Sequence, residues 1–224
     1  MKITAINGSP KAEGISSLII NKIGNLLDEQ IETYQAVCLV RTEKHQEDIA
    51  RILESDILLI VFPLFIDALP FPLIELLTRL ESTVCHGAET PRVFAIVNGA
   101  LDTAQTVLAL NMIEHFARRA RLPWGYGIGI GAGSLLYNAG ENWSKGLASD
   151  VHHALCDLVV ATKENRSAPN IYVSFKFPRI LYKTIANISF LLEAKRNGVK
   201  NLRAQPYVTQ ENSCNPTSDQ VGPR

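Results

Sequence analysis

Short apolar runs alternate along the chain with longer stretches whose apolar residues recur every three or four positions. The runs read as strands and the periodic stretches as helices. Strands are expected at Lys2–Asn7, Glu32–Val40, Ile57–Phe62, Arg92–Val97 and Tyr126–Ile130. Helices are expected at Ser16–Asp28, Gln46–Glu54, Leu73–Ser82, Thr103–Arg121 and Trp143–Thr162. In the first helix Leu18, Ile19, Ile23 and Leu26 share one face, and Pro72 suits the opening turn of the third. Ile57–Phe62 is apolar throughout, so both faces of its sheet must be covered. Repeated strand–helix units predict an α/β domain, a doubly wound parallel sheet with right-handed crossovers. Ligands of such sheets sit beyond the carboxyl ends of the strands, where the strand order reverses.

The pattern changes after residue 164. A short strand-like run is followed by a helix expected from Pro178 to about Asn197, and Lys176–Arg203 holds seven basic residues against one acidic, Glu193. This segment reads as an appendage packed on the domain or on a second subunit, or as a basic amphipathic helix for a membrane surface. The end of the chain is polar and reads as disordered.

Composition narrows the function classes. Lys plus Arg equals Asp plus Glu at 22 each, so no global field points to nucleic acid. Cys38, Cys85, Cys156 and Cys214 are scattered without a C-x-x-C pair, which argues against zinc or iron–sulfur sites and fits the reduced thiols of a cytoplasmic protein. His45, His86, His115, His152 and His153 lack metal spacing, and G-x-S-x-G is absent, so no hydrolase nucleophile is expected. The first residues already read as a strand, so no leader is expected. The most apolar stretch, residues 56–77, is cut by Pro63, Asp67, Pro70 and Pro72, short of the roughly 20 apolar residues of a membrane span.

Three loops at the expected ligand-binding rim carry candidate chemistry. The first, in "AINGSPKAEGISS", runs from the first strand to the start of the first helix, where exposed N–H groups and about half a positive charge attract anions. Ser9, Ser16 and Ser17 add hydroxyls and Lys11 a countercharge. Neither G-x-x-x-x-G-K-[ST] nor G-x-G-x-x-G fits this loop, which leaves a single phosphate monoester, as in flavin mononucleotide (FMN) sites, or an ordinary loop with two capping serines. The second, "FPLFIDALPFP", is hydrophobic where loops are usually polar, so Pro63, Leu64, Phe65 and Ile66 either meet a flat apolar partner such as an isoalloxazine ring or fold over core. Backbone N–H groups near residues 65–67 would meet the ring's polar edge, and Asp67 would cap the next helix or hold the loop closed. The third, "VNGALDTAQT", offers Asn98 and Gly99 for close approach, or a turn with a helix start at Asp102 or Thr103.

Together "NGSPK", "ISS", "FPLFIDALPFPLIELLTRL", "VNGALDTAQ" and "GIGIGAG" resemble the flavodoxin-like NAD(P)H-dependent FMN reductase family over about residues 1–203. The resemblance implies a five-stranded sheet of order 2-1-3-4-5, bound FMN, NAD(P)H as co-substrate, a small-molecule electron acceptor and a homodimer. It implies a flavodoxin-like FMN-binding domain at 1–164, a basic helical extension at 165–204 and a tail at 205–224. By position it assigns the FMN phosphate to Ser9, Lys11, Ser16 and Ser17, one ring face to Pro63, Leu64, Phe65, Ile66 and Asp67, and the pyrimidine side to Asn98, Gly99, Ala100 and Asp102. The compact cysteine cluster of the iron–sulfur branch is missing. A flavodoxin-like electron carrier and a flavin-free relative acting in a complex are the rival readings.

Overall fold

A computed structural model describes residues 1–27, 33–39, 45–84, 89–99, 102–140, 142–175 and 179–199. The chain divides into two compact units, Met1–Lys176 and Phe177–Arg224. The expected tail at 205–224 lies outside the described residues.

In the first unit the strands are β1 (Lys2–Asn7), β2 (Thr33–Cys38), β3 (Ile57–Pro63), β4 (Arg92–Asn98), β5 (Trp124–Gly131) and β6 (Ile171–Ser174). The helices are α1 (Ile15–Leu26), α2 (His45–Leu53), α3 (Phe71–Thr83), α4 (Ala104–Arg119) and α5 (Ser149–Lys163). All neighbouring strands pair in parallel, in the order β2-β1-β3-β4-β5-β6. The expected sheet of five strands is therefore corrected to six. β6 is four residues long and half-buried at the sheet's edge, so it lacks the apolar run that marks the central strands. β1 lies between β2 and β3, which places the reversal of strand order beside the loops that follow β1 and β3.

Both faces are covered, as the apolar strands require. Ile6, Ile60, Phe62, Ala95 and Val97 pack with Leu73, Leu76 and Leu77 of α3 and Leu110 and Ile113 of α4. On the opposite face Ile3, Leu59, Val61 and Ile128 are buried together with Ile19, Ile20 and Ile23 of α1 and Leu155 and Leu158 of α5. Each such aliphatic side chain contributes roughly 1.5–3 kcal/mol. The glycines of β5 serve this packing. A Cβ on Gly127 or Gly129 would strike Leu110 or Thr106, and one on Gly131 would lie 2.8 Å from the Thr103 nitrogen, so α4 lies directly on the strand.

One helix begins later than its periodicity predicts. Trp143 stands six residues before α5, in a loop closed by Gly146 at φ 74°, and its indole is buried and donates to the Gly140 carbonyl at 3.0 Å. Its burial mimics a helix-face position in the sequence. In the second unit, α6 spans Arg179–Arg196. Among the described residues no helix is long and apolar enough to cross a membrane.

Candidate functional site

The three loops meet at one rim of the sheet, stitched together by backbone hydrogen bonds. Gly8 N–H donates to the Val61 carbonyl (2.9 Å), Leu64 N–H to Asn98 (3.0 Å) and Gly99 N–H to Ile130 (2.7 Å). A Cβ on Gly8 would lie 2.9 Å from Phe62 Cβ, so glycine is needed there for close approach of loop to strand.

Asn7, at the end of β1, shapes the first loop. Its Oδ1 accepts from Ser9 N–H at 3.1 Å, and its Nδ2 donates to the Ala12 carbonyl at 3.2 Å. Ser9 Oγ in turn accepts from Lys11 N–H at 3.1 Å. Ser17 Oγ closes the start of α1, accepting from Gly14 N–H and donating to the Gly14 carbonyl, both at 2.8 Å. The first helical bond runs from Leu18 N–H to Gly14, which leaves the N–H groups of Ile15, Ser16 and Ser17 without helical acceptors. No acidic residue occupies that first turn.

A cavity of about 240 Å³ opens between the loops. Of the sequence-derived candidates it is lined by Ser9, Lys11, Ser16, Pro63, Leu64, Phe65 and Asn98, with Pro10, Gly14, Ile15 and Tyr137 completing the wall. The lining carries one cation, Lys11, and no carboxylate. Ser17, Ile66, Asp67, Gly99 and Asp102 are not on its wall, and Ala100 lies outside the described residues. Two buried side-chain atoms have no hydrogen-bond partner among the described residues, Ser16 Oγ and Asn98 Oδ1, and both residues face this cavity. A buried polar atom left unpaired costs about 1–3 kcal/mol, a cost that a ligand can offset.

The second loop is a two-residue hairpin. Phe65 N–H donates to the Ala68 carbonyl (3.0 Å) and Ala68 N–H to Phe65 (3.2 Å), so Phe65 N–H is committed within the turn rather than offered to a ligand. Ile66 and Asp67 both have positive φ, 53° and 57°, the pattern of a type I′ turn. For a β-branched residue that conformation is strained, and Ile66 is also 92% exposed. Asp67 does not cap α3, whose N-cap is Pro70; its Oδ1 accepts from Gln105 Nε2 at 3.1 Å and ties the hairpin to α4. Asp102, one residue before the Thr103 N-cap of α4, accepts from Ala104 N–H through Oδ1 at 3.0 Å.

Tyr137 escaped the sequence reading, and Asn7 and Gly133 entered it only within the stretches "NGSPK" and "GIGIGAG". Tyr137 stands on a short 3₁₀ helix (Gly133–Asn138) after β5 and is exposed at the cavity mouth, its hydroxyl over Gly14. Any Cβ on Gly133 would land on Asn98 Oδ1. The glycine run of β5 was the one available signal for this neighbourhood.

No protein-family model and no curated protein matches the chain. Among solved structures it is similar to a flavone reductase, with TM-score 0.55 and 11% identity over 92% of this chain and 94% of that one. It is similar to the apo form of an NADH:FMN oxidoreductase, with TM-score 0.53 and 14% identity over 75% and 90% of the two chains. The NAD(P)H:quinone oxidoreductase of Methanothermobacter marburgensis gives TM-score 0.52 and 12% identity over 74% and 96%. With the parallel sheet, its strand order and the loop cavity at its reversal point, these likenesses establish that the chain has the flavodoxin-like fold.

Proposed function

We propose that this chain is an FMN-dependent NAD(P)H oxidoreductase acting on a small acceptor such as a quinone or a flavin. The observation that carries the reading is Ser16 Oγ, buried and unpartnered at the N-terminus of α1, in a cavity with one cation and no carboxylate. The names of the structural neighbours support the same class of reaction.

In this reading the Ser16 hydroxyl and the first-turn N–H groups of α1 donate to the phosphate, with Ser9 beside them. Lys11 balances its charge. Ser17 acts one step back, holding Gly14 so that the turn presents those donors. Leu64 and Phe65 exclude water from one ring face, and Asn98 offers its orphaned Oδ1 to a ring N–H. Gln105 and Asp67 hold the hairpin in place, with Ile66 at its exposed tip, and Gly99 and Asp102 stand near Asn98 on the pyrimidine side. Bound FMN would supply the two-electron exchange between the nicotinamide and the acceptor. The chain would act in the cytoplasm as a homodimer, pairing through the exposed Phe71 and Ile74 of α3 and Leu108 and Met112 of α4.

The test is direct. Purified protein is titrated with FMN, following quenching of flavin fluorescence, and the complex is mixed rapidly with NADH or NADPH. Saturable quenching followed by bleaching of the flavin band is expected. Absence of quenching overturns the reading in favour of a flavin-free role, and quenching without bleaching makes the chain an electron carrier.

A further inference from the structure

We propose that α6 is a docking helix that lies in the plane of an anionic phospholipid surface. This goes beyond the redox reading and does not depend on it.

The chain's neutrality hides a segregation of charge. Residues 1–175 hold 14 Lys and Arg against 19 Asp and Glu, whereas residues 176–203 hold seven basic residues and one acidic. The basic segment also carries apolar side chains exposed to solvent. Ile188, Leu191, Leu192 and Val199 are each about half exposed, and Phe190 is 69% exposed. Ile188, Leu191 and Leu192 follow the i, i+3, i+4 spacing of one helix face, and Lys195 and Arg196 close the last turn. Phe190 stands off that face. An anionic headgroup layer takes up such an apolar stripe while long basic side chains reach the phosphates. With 18 residues, among them Arg179, Lys183, Glu193, Lys195 and Arg196, the helix is too polar to span a bilayer, so it would lie on one. Repulsion between the acidic sheet unit and the lipid is screened beyond about 8 Å at physiological salt.

Full-length protein, without added flavin, is sedimented with vesicles of phosphatidylcholine alone or mixed with phosphatidylglycerol. Binding to the mixed vesicles is expected, falling steeply as salt is raised, with little binding to phosphatidylcholine alone. Lys195→Glu with Arg196→Glu, and separately Ile188→Asp with Leu192→Asp, should each lower the lipid-bound fraction roughly tenfold or more. Far-UV circular dichroism of both variants should match the parent, since all four positions are exposed; a variant that fails this check is replaced by the salt series on the parent protein. Equal binding to both vesicle types, no binding to either, or full retention by both variants overturns the proposal. Concentration-dependent self-association without lipid, abolished by the same substitutions, would assign the face to a second copy of the chain instead.

Discussion

The two edges of the sheet make an instructive pair. At the amino-terminal edge a cleft of about 660 Å³ runs past Met1, Asp56, Arg92 and Asn165, far larger than the 240 Å³ cavity at the carboxyl edge. Yet among the described residues none of its buried side-chain polar atoms lacks a partner. Arg92 donates to Asn165 Oδ1 (2.6 Å), Ser167 Oγ (2.7 Å) and the Trp124 carbonyl (3.3 Å), Asp56 Oδ2 accepts from Lys2 N–H (2.7 Å), and Ser55 Oγ donates to Ile52 (2.6 Å). At the carboxyl edge the smaller cavity is lined by Ser16 and Asn98, whose buried Oγ and Oδ1 are unpaired, and by the start of a helix whose first N–H groups have no helical acceptor. One edge is built as a strut and the other is left unfinished. Size alone points to the amino-terminal cleft; unsatisfied hydrogen-bonding capacity points to the carboxyl one, because folding tolerates it only where something else recovers the cost.

The contrast can be broken in graded ways. Ser9→Asp with Ser16→Asp sets like charges against a phosphate dianion, which costs several kcal/mol, and should abolish FMN co-elution on gel filtration. Next comes Gly133→Ala, which drives a methyl into Asn98 Oδ1 and should cost about 1–3 kcal/mol in denaturant stability while weakening FMN affinity. The sharpest discrimination comes from Ser16→Ala against Arg92→Ala. Ser16→Ala should lower FMN affinity by about 1.5–3 kcal/mol, the value of a hydrogen bond to a charged group, without lowering the melting temperature of the apoprotein. Arg92→Ala should do the reverse, lowering stability by about 1–3 kcal/mol and leaving FMN affinity intact. If both variants behave alike, the distinction between the edges fails.

Smaller effects complete the series. Ile66→Gly relieves a positive φ and should stabilise the apoprotein by about 1 kcal/mol in thermal melts. In β5, burial pushes the Tyr126 phenol up to about 12, with Asp157 adding to the rise and Arg166 opposing it. A raised phenol keeps its proton when folded, so its contribution is present below the ordinary value of about 10 and is lost as pH rises through the folded value. Tyr126→Phe should therefore flatten the alkaline fall in stability, as read by denaturation midpoints above pH ~10.

Much of the first unit was legible in the bare chain. The apolar runs of β1, β3 and β4 announce themselves because both of their faces are buried, and α1, α3 and α4 show a helical period because only one of theirs is. The place of the short strand-like run β6 in the sheet and the late start of α5 were harder to read. An edge strand of four residues carries too little pattern, and the buried Trp143 looks like a helix face. Of the residues that line the cavity, Ser9, Lys11, Ser16, Pro63, Leu64, Phe65 and Asn98 could be picked out from loop composition at a known position in the topology. Ser17 and Asp67 have polar groups of the right kind, but local geometry turned them to Gly14 and Gln105.

Local order is what the sequence determined by itself: which segments bury both faces and which bury one. Tertiary structure alone decided which polar atoms went without partners, because a hydrogen bond between residues distant in the chain exists only once the loops have met. It also set Tyr137 over Gly14, two positions more than 120 residues apart that only the assembled sheet brings to one rim.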